Sequence, residues 1–302
     1  MDRLRSMTVF VRAAELGSFA AAAAALDLSA PMVGKHVQAL ETALGGRLLH
    51  RTTRRQSLTD LGRAYYERCR TVLAELAAAD ELAADLTGEP VGRLRVALPA
   101  HLGRRCLAPT LTALAARHPR LELDLSFSDR FVDLVEDGFD LAVRTGRLAD
   151  RAGMTARLLG RQPMVVCASP AYLARHGAPR TASELGDHTA IAYRRSGRVK
   201  PWIFPLDDGS QIEVMLAHRL RLDDMDAMAD AATQGLGLVW LPYWLVRSRL
   251  EAGSLVLVMP DQAPFLYDVH AVWLSTLSIP RKVRLAIDAL AVELPPQLQI
   301  AR

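Results

Sequence analysis

Apolar residues recur every three or four positions from the start of the chain, in short blocks divided by turn-forming residues. Leu4, Met7, Val11 and Ala14 share one helical face, so residues 3–16 are predicted to form a helix. Gly17 ends it, and Ser18 caps a second helix with Phe19, Ala22, Ala23 and Leu26 on its inner stripe. Asp27 and Leu28 form a tight turn. Ser29 caps a third helix, with Pro31 in the first turn, where a missing amide costs little. Val33, Val37, Leu40 and Leu44 point inward; Ala30, Gly34, Lys35 and Gln38 are left outside, flanked by Met32 and His36. Two short helices across a tight turn make a candidate helix-turn-helix.

The next block, GGRLLHRTTRRQSLT (45–59), reads as a β-hairpin wing. Arg47, Arg51, Arg54 and Arg55 crowd it without any acid, and Thr52 and Thr53 favour extended chain. Thr59 caps a fourth helix running to about Leu86. Within it Tyr65, Cys69, Val72, Leu76, Ala79, Ala83 and Leu86 keep alternating spacings of four and three, a heptad seam suited to pairing with another helix. Gly88, Pro90 and Gly92 mark a boundary.

Beyond it the pattern changes to alternating strands and helices. Strands are expected at 93–100, 121–128 and 139–144, with helices at 105–118 and in DRFVDLVEDG (129–138). A second series starts at 163–169 and includes 220–222, a helix at 223–234 and a strand at 235–242. A strand at 268–274 and a helix near 280–293 return to the first series. The βαβαβ order predicts a mostly parallel, doubly wound α/β sheet. In such sheets ligands sit beyond strand C-termini, beside helix N-termini. That rule selects Ala100, His101, Leu102 and Gly103 after the first strand, Ser126, Ser128 and Asp129 after the second, and Arg144, Thr145 and Gly146 after the third. Met225 opens the helix of the second series. His101 reads either as a ligand contact or as a surface histidine, and Asp129 as a contact or a helix cap. Trp202 and Phe204 read as core, with a pocket wall as the second reading.

Charge sharpens this division. Residues 1–70 hold eleven Lys/Arg against six Asp/Glu, whereas the remaining 232 hold twenty-six against twenty-seven. A basic excess confined to one quarter of the chain points to a polyanion. The outer face of the third helix is small and cationic near its N-terminus, as a helix entering a major groove about 12 Å wide requires. Gly34 costs a helix roughly 1 kcal/mol against alanine, which suggests either a close contact or a tolerated solvated position. The three cysteines, Cys69, Cys106 and Cys167, are too few and too scattered for a disulfide framework or a zinc site. No apolar run reaches the ~20 residues of a membrane span. The chain carries no Gly-x-Ser-x-Gly elbow, His-Glu-x-x-His, Cys-x-x-Cys or phosphate-cradling glycine loop, and no cofactor is expected.

The run SFAAAAAALDLSAPMVGKHVQALETALGGRLLHRTTRRQSLTDLGRAYYERC resembles the winged helix-turn-helix of LysR-type transcriptional regulators. Its alanine-rich helix, Ser-x-Pro opening, Leu-Glu-x-x-Leu-Gly, Arg-Leu-Leu-x-Arg and Leu-Thr-x-x-Gly follow in order. The resemblance implies an N-terminal all-α winged helix-turn-helix (1–58), a linker and dimerisation helix (59–88) and a C-terminal α/β effector domain (89–302). The last is expected to be periplasmic-binding-protein-like, with subdomain one at about 93–162 and 269–302, subdomain two at about 163–268, and crossover strands joining them.

It further implies a cytoplasmic, non-enzymatic regulator that binds a double-stranded operator as a homodimer or homotetramer and answers to a small-molecule effector, small carboxylates being a common class. Ser29, Ala30, Pro31, Met32, Gly34, Lys35, His36, Gln38, Arg51, Thr52, Thr53, Arg54 and Arg55 are the expected DNA-facing residues. Ala100, His101, Ser128, Asp129, Arg144, Thr145 and Met225 are the expected effector contacts, with His101 and Ser128 at turns the family uses for that purpose. Where the family pattern has glutamine and serine in the third helix, this chain has Ala30 and Gly34, so two polar base-reading groups are missing. Thymine methyls against Ala30 or Met32, and DNA shape, are left to carry more of the reading. The competing class is an α/β enzyme with an accessory DNA-binding domain.

Overall fold

The computed structural model describes residues 2–51, 56–87, 89–130, 132–148, 153–195, 197–206, 208–276 and 279–300, with backbone alone at 51, 56, 74, 77–78 and 80–87. It forms two compact units, Met1–Glu89 and Pro90–Arg302.

The first unit begins with α1 (Arg3–Leu16), α2 (Phe19–Ala25) and α3 (Ala30–Leu44). Their starts follow from the caps: Asp2, Ser18 and Ser29 accept from the amides of Leu4, Ala21 and Met32. Gly17 and Gly45, at φ 62° and 71°, end α1 and α3 in the left-handed region. A hairpin of β1 (Leu49–Arg51) and β2 (Gln56–Leu58) follows, then α4 (Asp60–Thr87). The inner stripe of α1 differs from expectation. Leu4 is 37% exposed, and the buried face comprises Ser6, Val9, Phe10, Val11 and Ala13. This wider face arises because α1 packs against α2, α3 and α4 together.

The heptad seam of α4 is divided. Cys69 is buried and Tyr65 half-buried among Phe10, Val11, Val37, Leu40, Leu48 and Leu49 of the same chain. Those two residues are therefore spent within the unit rather than on a partner helix. Val72 and Leu76 are 43% and 39% exposed, and Ala79 is exposed; the side chains of Ala83 and Leu86 lie outside the described residues. At the head of α4, Gly62 passes so close to β1 that an added Cβ would sit 1.9 Å from the Leu48 carbonyl oxygen. Glu41 fixes the same corner from α3, its Oε1 accepting from the amides of Leu48 (2.9 Å) and Leu49 (3.3 Å).

The second unit contains β3 (Gly92–Leu98), α5 (Ala100–Leu102) running through a π turn at Gly103–Leu107 into α6 (Ala108–Arg117), β4 (Leu121–Phe127) and β5 (Leu141–Thr145). Then come β6 (Met154–Ala168), α7 (Pro170–His176), β7 (Thr189–Arg195), β8 (Arg198–Val199), β9 (Trp202–Pro205), β10 (Gln211–Val214) and β11 (Ala217–Leu222). The chain closes with α8 (Met225–Thr233), β12 (Val239–Pro242), α9 (Tyr243–Glu251), β13 (Val256–Val258), β14 (Phe265–Leu274) and α10 (Arg281–Leu298).

The main sheet has the order β12-β6-β14-β5-β3-β4, with β13 also on β6; β11-β7-β8 form a second sheet. Parallel pairing joins β3 to β4 and β5, and β7 to β11. The expected mostly parallel sheet is thus mixed, because β6 and β14 run antiparallel to each other and to their other partners. These are the crossover strands. One continuous core packs α5, α6, α8, α9 and α10 against them, and a smaller core in subdomain two holds Trp202, Phe204 and Trp240. Trp202 and Phe204 are accordingly core residues, at 4% and 3% exposure.

In place of the helix expected at 129–138, the described residues 129–130 and 132–138 form bends, irregular chain and turns. Asp133 accepts from the amides of Val135 and Glu136, and Asp137 from that of Asp133. These side chains take amide protons that a helix would commit to its backbone.

Gly62→Ala is expected to lower stability by about 1–3 kcal/mol through overpacking. Denaturant unfolding of the full chain, followed by a signal from the first unit, checks this.

Candidate functional sites

Two arrangements stand out, one in each unit. In the first, burial sorts the residues of α3. Val33, Val37 and Leu40 are buried, while Ser29, Ala30, Pro31, Met32, Lys35 and Gln38 are exposed and Gly34 is half-buried. A Cβ at Gly34 would meet only the Phe19 ring, 3.8 Å away, so no close approach within the protein demands glycine there.

His36 departs from the expected outer face. It is 4% exposed and shares a 2.9 Å hydrogen bond through Nδ1 with Ser6 Oγ, so it faces α1. The reason is angular: residue 36 lies three positions after Val33 and four before Leu40, on the inner stripe. The backbone of Arg51 lies in β1, and Thr52, Thr53, Arg54 and Arg55 lie outside the described residues.

In the second unit, the turn after β3 meets the start of α8. Met225 N–H donates to His101 Nε2 (3.3 Å), so the imidazole proton sits on Nδ1 and is directed at Asp226 Oδ2 (3.2 Å). Arg105 reaches the other oxygen of Asp226 at 2.5 Å, and Arg249 lies 3.8 Å from that oxygen. Asp224 caps α8 by accepting from Ala227 N–H. His101, 9% exposed, is therefore not a surface histidine: it joins the turn after β3 to the start of α8. The amides of Met225 and Ala227 are already bonded, and two carboxylates flank them.

Positive charge lies on the opposite side of the same junction. Arg144, at the end of β5, is half-buried; burial, and then neighbouring Arg195, lower its pKa, while Asp129 opposes them. Arg195, at the end of β7, donates to the Asp129 carbonyl (3.0 Å), a second bridge between subdomains. Asp129 Oδ1 accepts from Ala100 N–H (3.2 Å), and Ser128 Oγ from Arg130 N–H. Asp129 thus fastens two loops and caps no helix. Burial raises the phenol pKa values of Tyr193 and Tyr267, so both remain hydroxyl donors; Tyr193 also feels Asp129, Arg195, Asp223 and Asp224. Thr145 is half-buried, and Gly146, at φ 89°, would bring a Cβ within 3.5 Å of the Tyr267 ring.

Of the seven expected contacts, the junction brings together Ala100, His101, Asp129, Arg144 and Met225, with Ser128 and Thr145 next to them in the chain, and it adds Arg195, Asp224 and Asp226, with Tyr193 and Tyr267 near Arg195. Arg195 was legible in principle: AIAYRR is an apolar run ending in arginines, and the strand-end rule selects it once 189–195 is read as a strand. An apolar pocket of about 100 Å³ lies elsewhere, lined by Met164, Phe204, Met259, Pro264, Phe265 and Ile300 among others, and none of the seven contributes to it. Among the described residues there is no group of three or more His, Cys, Asp or Glu placed to hold a metal ion, and no helix long and apolar enough to cross a membrane.

A reading helix on a winged hairpin, followed by a two-subdomain body with a polar junction, defines a ligand-responsive DNA-binding regulator. The family model described as bacterial regulatory helix-turn-helix protein, lysR family, matches residues 4–63, and that of the LysR substrate binding domain matches residues 87–294. The chain belongs to the LysR family of transcriptional regulators. It is 36% identical over 292 residues to YhjC, an uncharacterised HTH-type transcriptional regulator of Escherichia coli (strain K12), covering 96% of this chain and 97% of that one. Among solved structures it is similar to CrgA, a LysR-type transcriptional regulator from Neisseria meningitidis (TM-score 0.60, 31% identity, 96% of this chain and 98% of that one). It is also similar to the full-length Vibrio cholerae virulence activator AphB (TM-score 0.59, 28% identity, 96% and 98%). The protein is a regulator with an effector-binding domain, not an enzyme.

Burial pushes the Cys106 thiol up to about 11 and the Cys167 thiol up to about 12, and raises Cys69 as well. Since the thiolate is the reactive form, all three are expected to resist a disulfide reagent at pH 8 in the native protein and to react after denaturation. Thiol titration with and without guanidinium checks this.

Proposed function

We propose that the exposed face of α3 (Ser29, Ala30, Pro31, Met32, Gly34, Lys35 and Gln38) enters the major groove of an operator. Arg51, Thr52, Thr53, Arg54 and Arg55 follow the adjacent phosphates and minor groove; this part of the reading comes from the sequence. His36 is left out because it is buried. The observation that carries the proposal is the sorting of α3, whose apolar side is consumed by α1 and whose small, cationic side is exposed. With few polar base-reading groups on that face, methyl contacts and DNA shape carry much of the selectivity. Two copies associate through the seam residues of α4 that are exposed, Val72, Leu76 and Ala79, as a dimer or as the base of a tetramer. The protein acts in the cytoplasm.

The effector is a small carboxylate held at the subdomain junction. Arg144 and Arg195 supply the charge, and Tyr193, Tyr267, Ser128 and Thr145 supply hydroxyls. Arg144 is half-buried beside the Arg195 guanidinium, and the two cations together set a positive local potential that attracts an anion. Only a ligand that prefers one arrangement of the subdomains shifts the protein toward it. Exchange of the His101–Asp226 and Arg195–Asp129 contacts is the route by which binding is felt.

Lys35→Ala is expected to weaken operator binding and to reduce the slope of log affinity against log salt by about one unit if a phosphate contact is lost. Fluorescence anisotropy over a salt series measures both. Arg144→Gln is expected to abolish the thermal shift given by whichever carboxylate stabilises the wild-type chain in a screen of small acids. An equal shift in the variant would remove Arg144 from the site.

A further inference from the structure

Among the described residues of the first unit, Ser6 and His36 are the two buried polar side chains, at 2% and 4% exposure. Around them the core is apolar: Val9, Ala13, Ala22, Ala23 and Val33 on one side, and Phe10, Val11, Val37 and Leu40 on the other. A leucine at 36 would continue the inner stripe of α3 and bury more apolar surface. The polar pair therefore supplies something that packing does not.

Its geometry shows what that is. Ser6 Oγ donates to the Asp2 carbonyl (2.8 Å) and shares a hydrogen bond with His36 Nδ1 (2.9 Å), whose direction follows the imidazole tautomer. Asp2 in turn caps α1, its Oδ1 accepting from Leu4 N–H at 3.0 Å. A chain of hydrogen bonds thus runs from the middle of α3, through α1, to the cap of α1. Apolar contacts have no preferred direction, whereas a hydrogen bond weakens steeply when bent. A helix packed by valines and leucines alone is held at a depth but only loosely at an angle.

We propose that His36 is a positioning residue: through Ser6 it fixes the rotation of α3 about its own axis, and so sets discrimination between DNA sequences without touching DNA. His36 adjoins Lys35, so the same helical turn carries the anchor and the reader. A rotation of about 10° moves a point at the ~6 Å helix radius by about 1 Å, enough to spoil a base-edge hydrogen bond. Phosphate contacts, made by long flexible cations, tolerate that displacement. The loss should fall on selectivity and spare general affinity.

The inference rests on α3 being the reading helix, and Lys35→Ala tests that separately: if Lys35→Ala leaves all DNA binding intact, the reading-helix assignment itself fails. The experiment uses the full chain and a duplex selected by the wild-type protein from a randomised pool, against the same duplex scrambled. His36→Leu and Ser6→Ala are expected to lose about tenfold in the selected-to-scrambled affinity ratio, with affinity for scrambled DNA and its salt slope unchanged. His36→Asn, which can present an amide donor near the Nδ1 position, is expected to keep most of the ratio. An unchanged ratio in both His36→Leu and Ser6→Ala overturns the proposal. So does an equal fall in both affinities, which would assign the pair to stability alone, or a His36→Asn variant as impaired as His36→Leu.

Discussion

The antiparallel ladder between β6 and β14 is the joint from which the effector-binding body is hung. It runs from Met154–Leu274 at one end to Met164–Phe265 at the other, and each strand continues from one subdomain into the next. At one end β14 takes β5 as its second neighbour, while at the other β6 takes β12 and β13. Backbone hydrogen bonds of this kind resist stretching but allow twist. The two subdomains are thereby kept at a fixed separation while their facing ends retain some freedom. The register shift between Val269 and His270 marks the place in the ladder where regular pairing is interrupted.

What closes the facing ends is of a different kind. The Arg105–Asp226 pair is 40% and 28% exposed, and the Arg195 contact with Asp129 is also near solvent. Ion pairs in such positions contribute roughly 0–1 kcal/mol each, because water competes for both partners. The continuous apolar core behind them, from Leu94 to Leu298, is far more costly to disturb. The body therefore combines a stiff back with a readily exchanged front. Rearranging the front therefore requires no unfolding of the back.

Much of this was legible along the chain because the strongest signals are local. Asp27–Leu28, Ser29–Pro31 and Gly45 punctuate the first unit, and caps and turns depend on neighbours only a few residues away. The strand ends bearing His101, Ser128 and Arg144 were also found, since a rule about sheet edges needs only the alternation. What failed was partnership. Spacing from Val33 and Leu40 puts His36 on the inner stripe, but its polarity points outward and nothing local names Ser6, thirty positions earlier, as its partner. Cys69 kept perfect heptad spacing, yet its neighbours Phe10 and Leu48 come from other elements. The 129–138 segment has helical apolar spacing, but Asp133 and Asp137 spend its amides locally. Strand direction was missed for a related reason: the sense of β6 and β14 is decided by where the chain returns, not by composition.

The contact of Gly62 with the Leu48 carbonyl carries a mechanical implication. Where two backbones meet with no side chain between them, nothing soft intervenes to absorb displacement. The head of α4 and the root of the hairpin thus behave as one welded corner, with Glu41 as a brace from α3. A displacement of the head of α4 is therefore passed on, undamped, to the root of the hairpin at Leu48 and Leu49.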